Sequence, residues 1–362
     1  MSRAAFQIAR VIVEREARAL PRTEGIWQSF PSAEVIQVER IASVLPDQWR
    51  AGDLAIAHFR GRFLKRCPGT RGYICCGYRV LNIQAGCDLG CTYCVLQGYL
   101  RGPTYVVYAN LEDALQEVEK ELRAHPDRFF RIGTGELTDS LVLEDATGFG
   151  KELAGFFARA ENAVLELKTK TDRIGHLLDV DPRGRVVLSW SVNPESVISQ
   201  EEGKAVSLER RLRAAQLAEL AGYRIGFHFD PLIHHPGWRR AYQEVVEAIF
   251  SCVSPSSIAW ISLGALRYPP ALDRILRERH PESRLRFGPL LPGMDGKLRY
   301  FRPVRVNMFR HVYECIRGAS REVFVYLCME NDTVWREAFG WSPGSMRRLS
   351  QLLDERARAG LR

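Results

Sequence analysis

From residue 80 onward, apolar β-branched runs alternate with amphipathic helical runs, and that rhythm limits the folds open to the chain. The pattern predicts strands over 79–83, 129–133, 164–170, 186–192, 224–230 and 258–266. Helices are expected between them over 111–124, 143–160, 172–178, 208–221 and 238–252, with a sixth at 270–279. Strands joined by helical crossovers make a parallel sheet. The near-continuous apolar run Val186-Val187-Leu188-Ser189-Trp190 fits a strand covered on both faces. Six βα units are too few for an eight-unit barrel, so the expected fold class is α/β, as an open doubly wound sheet or a partial barrel. Either form puts its active site at the carboxyl ends of the strands. The polar residues that follow the strands, at 87–94, 133–136, 168–170, 191–193 and 230–235, would then share one mouth. The first 79 residues read as an extension, with an amphipathic helix over 4–20 and then proline-punctuated segments. The βα array occupies 80–290, and 291–362 form a second extension with a basic hairpin and a helix.

Six of the nine cysteines lie between Cys67 and Cys94, which points to metal or redox chemistry rather than a disulfide framework. The string Gly86-Cys87-Asp88-Leu89-Gly90-Cys91-Thr92-Tyr93-Cys94 has the spacing C-x3-C-x2-C. Three thiolates on one short loop can each bind a different iron of a four-iron cubane. The fourth iron is then left for a small chelating molecule. A zinc site would want a fourth Cys or His in a matching second pair, and none follows the triplet. Inert buried cysteines are the remaining reading. The net charge of +8 is uneven: residues 1–83 and 297–362 each carry +6, leaving the middle at −4. A basic rim suits a polyanion, while a uniformly arginine-rich composition would look similar. No apolar run is long enough to span a membrane, and the charged N-terminus does not read as a signal peptide. The expectation is a soluble, cytoplasmic monomer with no membrane partner.

The triplet, with Tyr93 at the aromatic position before Cys94, resembles the radical S-adenosylmethionine (radical SAM) superfamily. That resemblance implies a partial (β/α)6 TIM-like barrel and a 4Fe-4S cluster on Cys87, Cys91 and Cys94. It also implies that the unique iron holds S-adenosylmethionine, which is cleaved reductively to a 5′-deoxyadenosyl radical. An electron donor such as flavodoxin or ferredoxin is then implied as a partner. The chain further resembles the spore photoproduct lyase family through Cys94-Val95-Leu96-Gln97, Thr104-Tyr105-Val106-Val107-Tyr108, Thr138-Asp139, Thr169-Lys170, Ser191-Val192-Asn193 and His235-Pro236-Gly237-Trp238. These matches cover roughly 80–300. They imply a lyase that repairs a methylene-bridged thymine dimer in DNA, in which a cysteine returns a hydrogen atom. Two positions depart from that family's pattern. Val95 stands where the lyase has a tyrosine, and Glu136 stands at its donor cysteine. A carboxylate cannot give a hydrogen atom to a carbon radical, so another cysteine serves, the reaction ends differently, or the substrate differs.

Glu136, in Gly133-Thr134-Gly135-Glu136, suits a contact to the amino group of the nucleotide, with Gly135 admitting close backbone approach. A helix-capping acid is its plainer role. Lys170, Ser191 and Asn193 are candidate ligands of the same cofactor, against a solvated strand terminus for the lysine. Cys76, Cys328 and Tyr93 are the catalytic candidates. Cys67, Cys75 and Cys76 also fit ligands of a second cluster or small core residues. Strand alternation would let only one of Cys75 and Cys76 face a pocket. Arg299, Tyr300, Arg302 and Arg305 form a basic aromatic stretch suited to phosphates and bases, or an exposed hairpin; His235 is expected in the pocket wall. The alternatives are a radical SAM enzyme on an RNA base, a peptide or a small metabolite, or a non-enzymatic iron–sulfur or zinc nucleic-acid-binding protein.

Overall fold

The computed structural model describes residues 8–70, 72–100, 102 and 104–361, with Pro46 by its backbone alone. The six apolar runs become six neighbouring parallel strands in chain order: Arg79–Leu81, Phe130–Gly133, Ala163–Thr169, Val186–Ser191, Arg224–Leu232 and Ile258–Ala265. Val186–Ser191 and Ile258–Ala265 are buried at every position, because helices cover the outside and side chains fill the inside. The covering helices use one stripe each. Trp238–Cys252 buries Tyr242, Val245, Val246 and Ile249, at about 1.5–3 kcal/mol per large apolar side chain. This is the expected partial barrel.

Each margin of that sheet gains one strand. Leu64–Arg66 pairs antiparallel with Arg79–Leu81, and Val325–Leu327 pairs parallel with Ile258–Ala265. The margins meet at one point, where Ile74 bridges Glu330 and the Ile74 N–H donates to its carbonyl at 2.9 Å. Arg305 holds the Glu330 carboxylate at 2.9 Å under the same seam.

Several expected elements differ. Residues 4–20 are not one helix: the described part is a strand, Arg10–Glu14, followed by short helices Arg15–Arg18 and Pro21–Gln28. Residues 4–7 lie outside the described ones. Val11, Ile12 and Val13 are β-branched and lie between parallel strands Glu34–Val38 and Asp53–Ala57, so ladder pairing wins over the helical spacing. Tyr105–Tyr108 and Gln84–Ala85 complete this second sheet, so it also packs a segment from just beyond the cysteine loop. The helix expected over 143–160 breaks at Gly148 (φ +62°) into Glu144–Thr147 and Phe149–Phe157. The helix expected over 172–178 is only a 3₁₀ turn, Gly175–Leu177. No helix among the described residues is long and apolar enough to cross a membrane.

Candidate active site

The cysteine loop starts at Gly86 (φ +90°), where a side chain would lie 2.1 Å from the Thr104 carbonyl, so only glycine fits. It then docks on residues 201–204. Thr92 N–H donates to the Glu201 carbonyl at 2.9 Å, and Lys204 N–H donates to that of Leu89 at 2.7 Å. A β-carbon on Gly203 would lie 2.5 Å from the Leu89 oxygen. Behind the loop, Glu202 is fully buried with Arg211 at 2.5 Å. It also accepts from Asn193 Nδ2 at 2.9 Å and from the Tyr93 hydroxyl. Burial pushes the Glu202 carboxyl up, but Arg211, Lys170, Tyr93 and Asn193 together bring it below its ordinary value. Removing one partner of such a pair costs about 3–5 kcal/mol, so the loop's backing is stiff.

Cys87, Cys91 and Cys94 all line one cavity of about 670 Å³ at the carboxyl ends of the barrel strands. Burial raises each thiol, Cys91 to about 12, so binding a metal there must release protons. Backbone N–H groups of Leu89, Leu96 and Gln97 aim at the sulfurs of Cys87 and Cys94 and favour their thiolates. Among the described residues, no three His, Cys, Asp or Glu side chains converge as they would on a single metal ion. Three thiols on one loop beside one cavity fit a polynuclear cluster, and fall one ligand short of the usual structural zinc set.

Gly135, Glu136, Lys170 and Ser191 border the same cavity. A side chain at Gly135 would meet Lys168 at 3.3 Å. Asp139 accepts from Lys170 N–H and from Thr169 Oγ1, each at 2.7 Å, and so ties the loop after one strand to the end of the next. Lys170 Nζ lies 5.6 Å from the centre of the Tyr93 ring. Two expectations change here. Asn193 is not on the wall; it bridges Glu202 and the Tyr242 hydroxyl, which donates to Asn193 Oδ1 at 2.9 Å. Tyr93 presents its ring to the cavity, and its hydroxyl is committed to Glu202.

The seam brings Cys67, Cys75, Cys76 and Cys328 to the wall of the same cavity. Both Cys75 and Cys76 face it. Strand alternation does not apply, because the chain after Ile74 leaves the isolated bridge without forming a strand. Cys328 Sγ is 3.5 Å from Arg267 Nη2, and Arg267 grips Asp230 through both carboxylate oxygens at 2.9 and 3.0 Å. Burial raises the Cys328 thiol well above its ordinary value and that of Cys67 to about 12, so both keep their hydrogens at neutral pH. Met329 next door is a non-glycine residue at φ +54°, a costly conformation of the kind that clusters at functional sites.

Asp230 borders the cavity as its place after a strand predicts, and the barrel interior adds residues with no such expectation: Glu166, His228, Trp260 and Arg267. Glu166 had a visible signal, since it alternates with Lys168 and Lys170 along a strand that is otherwise apolar.

The expected nucleic-acid contacts are elsewhere. The hairpin Leu290–Pro292 with Leu298–Tyr300 forms, but Arg299 is 2% exposed, pairs with Asp295 at 2.7 Å and stacks on Tyr73. Tyr300 is buried and its hydroxyl accepts from His234 N–H at 3.1 Å. Arg302 opens the helix Arg302–Ala319 and faces Glu337 at 3.7 Å. His235 donates from Nδ1 to the Pro236 carbonyl at 2.8 Å. None of the four borders the cavity. Arg299 and Arg305 are spent inside on Asp295 and Glu330, because a buried guanidinium must be paired.

Residues 76–314 match the family model described as spore photoproduct lyase. The chain belongs to the spore photoproduct lyase family. It is therefore a radical SAM enzyme of the lyase type. Spore photoproduct lyase of Geobacillus sp. (strain Y412MC61) is 26% identical over 312 residues, covering 84% of this chain and 89% of that protein. The protein of the same name from Bacillus subtilis (strain 168) is 24% identical over 237 residues, covering 65% and 67%. A solved structure of spore photoproduct lyase complexed with dinucleoside spore photoproduct superposes with a TM-score of 0.79 at 21% identity, covering 90% of this chain and all of that one. A mutant of that lyase with bound AdoMet and the same dinucleoside gives an equal TM-score.

Proposed function

We propose that this chain repairs a methylene-bridged thymine dimer in DNA, using a 4Fe-4S cluster and S-adenosylmethionine. The observation that carries the reading is that two separate sets of thiols, Cys87/Cys91/Cys94 and Cys67/Cys75/Cys76/Cys328, line one cavity at the barrel mouth. Such a reaction needs one set to hold the cluster and another to return a hydrogen atom. Cys87, Cys91 and Cys94 hold the cluster. When bound, the cluster and S-adenosylmethionine supply a 5′-deoxyadenosyl radical that takes a hydrogen from the substrate.

The chain's own residues orient, enclose and finish the reaction. The Glu136 carboxylate receives the cofactor's ammonium, Gly135 lets it approach, and Lys170 and Ser191 complete its bed. Tyr93 contributes its ring, and Asn193 acts at a distance by holding Glu202. Cys328 or Cys76 donates the final hydrogen: its S–H bond breaks, a C–H bond forms on the product, and a thiyl radical is left on sulfur. The buried, protonated state of Cys328 supports that role, since a thiolate has no hydrogen to give. A low-potential one-electron donor of the flavodoxin or ferredoxin class feeds the monomeric, cytoplasmic enzyme.

The test is anaerobic reconstitution followed by reaction with dinucleoside spore photoproduct. The protein should bind about four irons per chain, release 5′-deoxyadenosine with a reductant, and convert the lesion to two thymidines. Cofactor cleavage with the lesion left unchanged would reject the substrate.

A further inference from the structure

Glu166 and Lys168 sit two residues apart on the strand Ala163–Thr169, so their side chains share one face, and both border the cavity. Glu166 is held with unusual care for a group so deep in a barrel. Its Oε1 accepts from His228 Nε2 at 2.8 Å, from Ser189 Oγ at 2.6 Å and from Trp260 Nε1 at 2.9 Å. His228 is fixed in turn by Ser262 Oγ at 2.6 Å from its Nδ1. Gly226 makes room for this: a β-carbon there would lie 2.1 Å from Ser189 Oγ. All three bonds go to one oxygen. Among the described residues, Oε2 accepts none, and the Lys168 ammonium has no hydrogen-bond or ion-pair partner. The cavity therefore presents one fixed acceptor and, two residues along the same strand, one donor with no hydrogen-bond partner among the described residues, in the field of Glu136, Asp230 and Glu166.

We propose that Glu166 Oε2 and Lys168 Nζ read the imide edge of a thymine ring, the carboxylate accepting from N3–H and the ammonium donating to the adjacent carbonyl oxygen. The inference rests on the lesion reading above and adds which atoms of the lesion are recognised. An imide is a donor flanked by two acceptors, which is the complement of this pair. Enzymes that work on a base outside the stack read it along that edge. Location favours the substrate over the cofactor. Lys170 is the lysine whose charge acts on the cluster thiols Cys91 and Cys94, whereas the charges acting on Lys168 are Glu136 first, then Asp230, Glu166 and, on the seam, Cys328. A base held by Glu166 and Lys168 lies beside the thiols proposed to reduce it. The adenine of S-adenosylmethionine also carries a donor beside an acceptor, and the experiment separates the two ligands.

Anaerobic, cluster-loaded enzyme without reductant would be titrated with dinucleoside spore photoproduct and with its N3-methylated analogue. Methylation removes the donor and leaves a buried carboxylate oxygen unpaired, so affinity should fall about 10–100-fold. Lys168→Met should weaken the unmodified lesion about tenfold and leave S-adenosylmethionine affinity unchanged. Equal binding of the methylated lesion overturns the inference while leaving the substrate intact. Loss of the cofactor with retention of the lesion in Lys168→Met assigns the pair to adenine and also overturns it. Failure of the unaltered enzyme to bind any thymine lesion removes this inference together with the reading beneath it.

Discussion

Cys87, Cys91 and Cys94 lie on a single loop, whereas Cys67, Cys75, Cys76 and Cys328 reach the same cavity from two segments far apart in the chain, 67–76 and 328. The loop is held by Gly86 at its start, by backbone bonds to the distant segment 201–204, and by the buried Glu202–Arg211 pair behind it. The seam is held by the Ile74–Glu330 bridge, by Arg305 on Glu330, and by Arg299, which joins nearby Asp295 to the Met329 carbonyl. The contrast explains the buried hairpin arginines. They brace the seam, so they are not free to bind phosphate.

The sharpest way to break the contrast is to remove a sulfur from each bank. Cys87→Ala, Cys91→Ala and Cys94→Ala are each expected to abolish cluster loading and S-adenosylmethionine cleavage, read by iron content and 5′-deoxyadenosine release. Cys328→Ala or Cys76→Ala should leave both intact but divert the lesion to side products, read by chromatography of the thymine products. Clean repair in the double variant would show that the seam thiols play no part.

Glu136→Gln should sharpen the picture on the cofactor side. With the charge lost and the shape kept, S-adenosylmethionine affinity is expected to fall about tenfold, roughly the value of one charge-assisted hydrogen bond, with the iron content unchanged. Equal affinity in a binding titration would take Glu136 out of the cofactor's bed.

The smallest effect is one of stability. Burial pushes the Glu166 carboxyl up, but His228, Ser189 and Trp260 more than offset it and hold it at about 2, below the ordinary 4.5. Its proton is bound more tightly in the unfolded chain. The stabilisation is therefore fully present above pH 4.5 and is lost as the pH falls toward 2, amounting to about 3 kcal/mol. Glu166→Gln should flatten the dependence of the melting temperature on pH in that window; an unchanged slope would mean that other carboxylates set it.

A parallel α/β sheet was legible because burial on both faces forces long apolar runs, such as 186–192, while the choice of a partial barrel over an open sheet came from the resemblance carried by the cysteine triplet. The N-terminal strand Arg10–Glu14 was not, because its pairing partners Glu34–Val38 and Asp53–Ala57 are distant in sequence and outweigh its own helical spacing. Lys170 and Ser191 were found by position, since a residue just past a barrel strand must stand at the mouth. Asn193 satisfies the same rule and still points away, into the Glu202 network.

What the sequence alone determined is whatever depends on neighbours along the chain: the C-x3-C-x2-C spacing, the βα rhythm, and the alternation that puts Glu166 with Lys168. Tertiary structure alone decided which charges are spent and which are free. Arg299 and Lys168 are both strand cations, yet one is ion-paired with Asp295 and the other borders the cavity with no ion pair among the described residues. The physical reason is that the cost of burying a charge depends on what lies within a few ångströms of it, and those neighbours come from distant parts of the chain.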